Sequence, residues 1–263
     1  MNEARRSVTG SPNAVRRTVP MWGREILLAA SFYGLYTLGR DLQGSATVSY
    51  AHALTNASRI IGLERRLGLF REGALQRALL GHRWVIEAAN FFYGSLHMIA
   101  TIAVLVYLFR HHRHAYQRVR NALAVTTGLA LIGFVAFPTL PPRLLPARYG
   151  FVDTLSKYGT LWSFDSGAIS KLSNQYAAMP SLHFAWALWC SISLITVLRH
   201  RCARVAVFIY PLLTLAAIIV TANHFILDAA FGAGILGTGL AVAARPLRSN
   251  EASPRAKPLP ESA

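Results

Sequence analysis

The chain has 263 residues, of which 53% are hydrophobic and 14% charged, and its formal net charge is +16. This composition is too apolar for an ordinary soluble domain and indicates a polytopic integral membrane protein. The basic residues lie mostly between apolar stretches, without interleaved aromatic residues, which argues against a nucleic-acid-binding surface.

The apolar stretches predict an all-α fold, a bundle of six transmembrane helices. The predicted spans are residues 22–39, 88–109, 121–137, 180–198, 205–221 and 224–244. They form one membrane-embedded domain at 21–244, and we expect residues 1–20 and 245–263 to be disordered tails. Between the first two spans, segment 45–83 mixes apolar residues with arginines, which predicts amphipathic helix lying on the membrane surface.

The distribution of arginine and lysine predicts the orientation of the bundle. Four short basic segments fall on one side of a six-span arrangement: the N-terminal tail, residues 110–120, residues 199–204 and the C-terminal tail. This side is predicted to be cytoplasmic, in the plasma membrane, and the polar N-terminus does not have the pattern of a cleaved signal peptide. Segment 45–83 is discordant, because it is basic yet falls outside; an interfacial position accounts for this.

The most informative stretch is Pro180-Ser181-Leu182-His183, at the start of the fourth span. Proline suits the first turn of a helix, so Ser181 and His183 are predicted to lie near free backbone N–H groups and the positive end of the helix dipole. Such a position binds anions, which predicts a phosphate site. The alternative for His183 alone is an ordinary histidine at a helix start, without a catalytic role.

A second polar group, His224 and Asp228, lies in the sixth span. Residues four apart are neighbours on a helix, and an aspartate beside an imidazole fixes its tautomer and leaves the other nitrogen free to attack. A structural pair between helices is the alternative. In the six-span arrangement Arg143, His183 and His224 share the outer face, although Arg143 could simply contact lipid headgroups. His97 is interpreted as a helix-packing hydrogen bond.

The PSLH motif and the sequence His224-Phe225-Ile226-Leu227-Asp228 together resemble the PAP2 (type 2 phosphatidic acid phosphatase) superfamily, over roughly residues 85–244. Leu182 stands where the phosphatases usually have glycine, which is similar to the inositol phosphorylceramide synthase branch. The resemblance implies His224 as nucleophile, Asp228 as its orienting partner and His183 as the acid that protonates the leaving oxygen. It also implies that Ser181 contacts the phosphate and that no metal or other cofactor takes part.

Three positions depart from the phosphatase pattern. Ala136 and Ile218 stand where the phosphatases have a lysine and an arginine, and Arg143 is followed by Leu144 instead of proline. These departures favour the synthase branch. Other cations that could serve the phosphate are Arg148, Lys157 and Lys171.

The sequence therefore predicts a membrane enzyme of phosphoester transfer, which acts on a lipid phosphate or phosphodiester through a phosphohistidine, at the extracytoplasmic face. In this prediction Arg143 and the amides at the start of the PSLH helix hold the phosphoryl oxygens. Water as acceptor makes it a phosphatase, and inositol or a sugar lipid makes it a phosphotransferase. The expected partners are the bilayer and its lipids, and the oligomeric state stays open.

The alternative is a transporter or scaffold with a polar His/Asp network, which explains less well why polar groups gather at helix mouths. A metalloprotease would need an HExxH motif, which the sequence does not contain.

Overall fold

The computed structural model describes these residues: Trp22, Gly23, 25–28, Ala30, Ser31, Gly34, 49–158 and 175–245. The predicted disordered tails lie outside the described residues, apart from Arg245, and so does half of the first predicted span. The described residues of that span are helical.

Within the described residues the fold is all-helical, as predicted, and contains an isolated β-bridge between Thr139 and Ala177 but no strand. The longer helices are α1 (Tyr50–Arg66), α2 (Glu72–Leu79), α3 (Arg83–His111), α4 (Arg113–Ala136), α5 (Leu182–Ile195), α6 (Arg201–Val220) and α7 (Ile226–Ala244). A short helix, Thr154–Tyr158, lies in the connection between α4 and α5.

Four helices are long and apolar enough to cross a membrane: α3, α4, α6 and α7. They correspond to the second, third, fifth and sixth predicted spans. Helix α5, the predicted fourth span, has 14 residues, fewer than the roughly 20 that crossing requires. The chain is thus an all-helical integral membrane protein with four candidate spans among the described residues, and the count of six is not confirmed.

Helix α3 begins earlier than the apolar pattern predicts, because polar residues extend the helix at its N-terminal end. The Arg83 Nε atom lies 2.7 Å from Glu87 Oε1, one helical turn further on. Farther along, α3 contains a π-helical segment, Phe92–Leu96, directly before His97. Such segments are often found at functional sites, and this one faces the site described below.

Helix α5 packs against α3, α4, α6 and α7, and is the centre of the bundle. The indole N–H of Trp189, a fully buried side chain, donates to the Val119 carbonyl at 2.8 Å, and that of Trp186 donates to Thr127 Oγ1 at 3.0 Å. Helix α7 approaches α5 closely at Gly232, where an added Cβ would lie 2.5 Å from the Ser181 carbonyl oxygen. These contacts fix α5 relative to α4, and the start of α5 relative to α7.

The described part of segment 45–83, residues 49–83, contains α1 and α2, which cover one end of the bundle. The inner face of α1 buries apolar residues, including Ile60 and Ile61, against Leu140, Phe225 and Leu227. The helical character of the segment is as predicted, and its position on the membrane surface stays a prediction. The same face also buries Glu64.

Candidate active site

Helix α5 begins at Leu182, and Ser181 is its N-cap residue. The Ser181 backbone is extended (φ −72°, ψ 108°), and its hydroxyl oxygen accepts the Phe184 N–H at 3.4 Å. The prediction that Pro180 occupies the first helical turn is therefore wrong, since it precedes the N-cap. The Ser181 N–H donates to the Asp228 carbonyl at 2.9 Å, which ties the start of α5 to the first turn of α7.

The turn between α6 and α7 delivers His224 through a Schellman motif. The Asn223 N–H donates to the Ile218 carbonyl at 3.0 Å and the Ala222 N–H to the Ile219 carbonyl at 2.9 Å, as this motif requires. Ala222 adopts the left-handed conformation, with φ 54°, at the position where glycine is usual. A non-glycine residue in this conformation is strained, which is a recurrent feature of functional sites.

His224 lies in this turn, ahead of Ile226, the first residue of α7. The prediction that His224 and Asp228 share one helix is wrong, because Phe225 is the N-cap and has an extended backbone (φ −77°, ψ 160°). The two side chains are still close. The Asp228 Oδ2 atom accepts the Phe225 N–H at 2.9 Å and lies 3.4 Å from His224 Nδ1.

The surroundings of His224 determine its tautomer. Its Nδ1 faces two acceptors, the Ala178 carbonyl at 2.8 Å and Asp228 Oδ2 at 3.4 Å. Because both groups accept, Nδ1 carries the proton and Nε2 carries the lone pair. That Nε2 atom is buried and has no hydrogen-bond partner among the described residues. The ring therefore presents a free nucleophilic nitrogen.

His183 lies beside His224, with the two ring centroids 5.6 Å apart. Two side chains of α3 hold the His183 ring. Tyr93 stacks on it at 4.2 Å with an interplanar angle of 23°, and His97 contacts it at 4.2 Å, tilted by 56°. His97 Nδ1 bonds to the Tyr93 carbonyl at 3.0 Å, within the same helix, whereas the sequence predicted a hydrogen bond that packs one helix on another. His97 thus has a second contact, with His183, that was not predicted.

Arg143 lies next to the turn that carries His224. Its backbone N–H donates to the Ala222 carbonyl at 2.8 Å, and its Nε donates to Asn223 Oδ1 at 3.0 Å. Its Nη1 pairs with Asp153 Oδ2 at 2.9 Å. The structure therefore brings Arg143, His183, His224, Asp228 and Ser181 to one end of the bundle, and their roles and their membrane face stay predictions.

Two of the three candidate replacement cations contact neighbouring tyrosine rings, and the third is not described. The Arg148 guanidinium lies over the Tyr149 ring, and the Lys157 ammonium over the Tyr158 ring. Lys171 lies outside the described residues.

Comparison with known proteins decides the family. A family model described as the PAP2 superfamily matches residues 58–242, more than half of the chain. The chain belongs to the PAP2 superfamily. No curated protein and no solved structure matches it.

Membership of the PAP2 superfamily suggests a phosphatase-type enzyme that acts on lipid phosphoesters in a membrane. The match begins within α1 and extends nearly to the end of α7, so segment 45–83 is largely part of the family unit. The predicted superfamily is thereby confirmed. The inositol phosphorylceramide synthase branch is not confirmed.

In this PAP2-superfamily protein the paired imidazoles permit nucleophilic and acid catalysis at one centre. One ring has a free lone pair at Nε2, and the other lies within a few ångströms of it. A phosphoryl group bound between them would meet the nucleophile on one side and a proton donor on the other. The two rings therefore offer the chemical groups that nucleophilic and acid catalysis require.

Sequence reasoning missed two parts of this PAP2 site. The Ala178 carbonyl is a backbone group, and no side-chain pattern reveals it. Tyr93 and His97 are four residues apart, and this spacing could have indicated a shared helix face. Their contact with His183 is tertiary and could not be read from the local pattern.

Proposed function

We propose that this protein transfers phosphoryl groups from a membrane lipid phosphate or phosphodiester, with His224 as nucleophile and His183 as general acid. One observation carries the proposal: the His224 Nε2 lone pair is buried, unpartnered among the described residues, and next to a second imidazole. The Nδ1 proton is held by the Ala178 carbonyl and Asp228, so positive charge that develops on the ring during attack is stabilised.

The reaction has two steps. His224 Nε2 attacks phosphorus, the bond between phosphorus and the leaving oxygen breaks, and His183 gives its proton to that oxygen. An acceptor hydroxyl then attacks the phosphohistidine, gives its proton to His183, and the P–N bond breaks. Water as acceptor yields a phosphatase, and an alcohol such as inositol or a sugar lipid yields a phosphotransferase.

The phosphoryl oxygens have candidate partners at the same end of the bundle. The start of α5 offers backbone N–H groups and the positive end of its dipole. We assign Arg143 to the phosphate as well, since it adjoins Asn223, and Ser181 to the phosphate-contacting position of the PSLH motif. Such donors, aimed at charge that develops in the transition state, contribute strongly to catalysis.

A lipid substrate is supported by an apolar cavity of about 420 Å³ between α1, α4 and α7. Its lining includes Leu129, Gly133 and Phe231, and also Pro180 and Leu227, the chain neighbours of Ser181 and Asp228. Apolar walls beside the site suit an acyl chain.

We further propose six spans, counting residues 22–39 and α5, with the site on the extracytoplasmic face of the plasma membrane and both termini cytoplasmic. Leu182, Ala136 and Ile218 favour the phosphotransferase branch.

The test is turnover by purified protein in detergent micelles. The substrates are phosphatidic acid and phosphatidylinositol, each with and without free inositol or water-soluble sugar acceptors. With phosphatidic acid, released inorganic phosphate indicates hydrolysis, and a phosphorylated inositol or sugar indicates transfer. With phosphatidylinositol, a phosphorylated product that forms without an added acceptor indicates hydrolysis, and one that contains the added sugar indicates transfer. Specific inhibition by vanadate, which mimics the phosphoryl transition state, is expected in either case. Absence of turnover and of vanadate binding would favour the transporter or scaffold alternative.

Arg143→Gln is expected to lower kcat/KM by about 10²-fold, because the guanidinium would no longer stabilise phosphoryl charge. Arg148→Gln is the matched control, since this arginine is in the same loop but lies over Tyr149. We expect the control to retain activity within about threefold, because Arg148 is exposed and its guanidinium lies over the Tyr149 ring. Equal effects of the two substitutions would remove Arg143 from the phosphate site.

His97→Ala is expected to reduce kcat by up to about tenfold, because the His183 ring loses one of its two aromatic contacts and is no longer held in place. His97→Phe keeps a ring at 4.2 Å from His183 and should restore most of the rate. The comparison is made with saturating substrate, and the thermal stability of both variants is measured. If the phenylalanine variant is as slow as the alanine variant, the imidazole itself has a chemical role.

A further inference from the structure

Two buried glutamates outside the histidine centre contact the helix that follows His224. Glu64, from α1, and Glu72, from α2, are both fully buried although they belong to an arginine-rich segment. Glu64 Oε1 accepts the Leu227 N–H at 2.8 Å, and Glu72 Oε1 accepts the Ile226 N–H at 3.0 Å. These amides are in the first turn of α7, where no intrahelical acceptor exists.

Asp228 completes the arrangement by accepting the Phe225 N–H at 2.9 Å. Three successive amides of one helix start are thus bound by three carboxyl groups from three different helices. Asp228 also connects this turn to α5, because its backbone carbonyl accepts the Ser181 N–H. A movement of the two glutamates would therefore displace Asp228, and this would change the position of the His224 ring.

Three ionised carboxylates at one buried turn would repel one another strongly, even at a helix N-terminus. The remaining oxygens, Glu64 Oε2 and Glu72 Oε2, are buried and have no partner among the described residues. The two carboxyl groups lie close together, because they accept from adjacent amides, those of Leu227 and Ile226. One proton between them turns an oxygen into a donor, satisfies both groups and removes one negative charge.

We propose that Glu64 and Glu72 share one proton and act as positioning residues that hold the first turn of α7, so that Asp228 and the His224 ring keep their catalytic geometry. Neither glutamate touches the reacting atoms. The inference rests on the proposed phosphoryl transfer, and it assigns to segment 45–83 a role in aligning the nucleophile.

The electrostatic surroundings support this assignment. Burial, the hydrogen bond with Glu72 and the charges of Glu72 and Asp228 raise the pKa of Glu64 to about 9, while the bond from the Leu227 N–H opposes the shift. The charged groups that face Glu64 are therefore Glu72 from α2 and Asp228 from α7, with His224 beside the latter. Because the pKa in the folded protein lies above that of an unfolded chain, the stabilisation is complete at low pH and is lost as the pH rises through about 9.

The experiment compares the pH dependence of kcat for four forms of the full-length protein in detergent micelles, with phosphatidic acid as the probe. They are the unmodified protein, Glu64→Gln, Glu64→Ala and the control Glu87→Gln, a half-buried glutamate of α3 that pairs only with Arg83 in the described structure. Infrared spectroscopy at each pH measures whether a protonated carboxyl band is present.

The unmodified protein should lose activity as the pH rises through about 9 and lose its protonated carboxyl band in parallel. Glu64→Gln should lack that band and keep its own maximal rate to higher pH, because an amide mimics the protonated carboxyl and has no proton to release. Glu64→Ala should lower kcat by roughly tenfold at all pH values, since the Leu227 N–H loses its acceptor. Glu87→Gln should follow the unmodified protein.

An alkaline limb of Glu64→Gln that coincides with that of the unmodified protein would overturn the positioning role. A carboxyl band that does not depend on Glu64 would overturn the shared proton. If the unmodified protein does not turn over any lipid in the panel, the proposed function fails and the positioning role with it. The infrared band would still decide separately whether the two glutamates share a proton.

Discussion

His224→Gln is expected to reduce the rate of phosphoryl transfer by at least about 10³-fold, because the side chain that would form the covalent intermediate is gone. Glutamine keeps a polar group of similar length, so the Ala178 carbonyl can still be satisfied and the turn should fold. The measurement is the initial rate with the best lipid substrate, together with thermal unfolding of both proteins to show that the fold is retained.

The matched control is His111→Gln, at the exposed end of α3. It should retain activity within about threefold, because surface substitutions away from the site have small effects. Brief reaction with phosphate-labelled lipid should also give a labelled protein whose label is lost in acid, as phosphohistidine is, and His224→Gln should not be labelled. Undiminished turnover in this variant would exclude His224 as the nucleophile.

Gly232→Ala is expected to lower kcat by about 10²-fold and to destabilise the protein by about 1–3 kcal/mol. The added Cβ would lie 2.5 Å from the Ser181 carbonyl oxygen and 3.4 Å from its carbon, and these backbone atoms cannot rotate away. The start of α5 would have to separate from α7, and the distance between the His183 and His224 rings would increase. Steady-state kinetics and thermal unfolding in micelles measure the two effects.

Gly234→Ala is the matched control on the same helix, since an added Cβ there meets nothing within 4 Å. Alanine is the better helix former by about 1 kcal/mol, so this variant should be as stable as the unmodified protein or more stable. If both alanine variants have the same activity and stability, close packing between α5 and α7 at Gly232 is not required for the site.

The helical architecture could be predicted because apolar length and helix periodicity are local properties of the sequence. The predicted ends of the helices were less accurate. Polar residues such as Arg83 and Glu87 continue α3 through a pair on its surface, which hydropathy does not register. Helix α5 stops at Ile195, before the apolar run ends at Leu198, and the two following residues form a turn.

The candidate site could be predicted in part. PSLH and the His224–Asp228 pair carry recognisable chemistry, and topology placed them together. The burial of Glu64 and Glu72 could not be predicted, because charged residues in an amphipathic segment are exposed unless a partner is available. Their partners are backbone amides of α7, more than 150 positions away along the chain in each case. Such contacts leave no periodic trace in the sequence.

In the six-span arrangement proposed above, the shortness of α5 would set the depth of the chemistry. Fourteen residues rise by about 21 Å, while the hydrocarbon layer is about 30 Å thick. With the Ile195 end of α5 at one boundary of that layer, the opposite end, with His183, would be recessed by about 9 Å from the other boundary. A lipid phosphate would then have to descend below its neighbours and shed water to reach this depth, where hydrogen bonds and charges act through a low dielectric. Lipids whose polar groups are too bulky to sink that far would be excluded before any bond is broken.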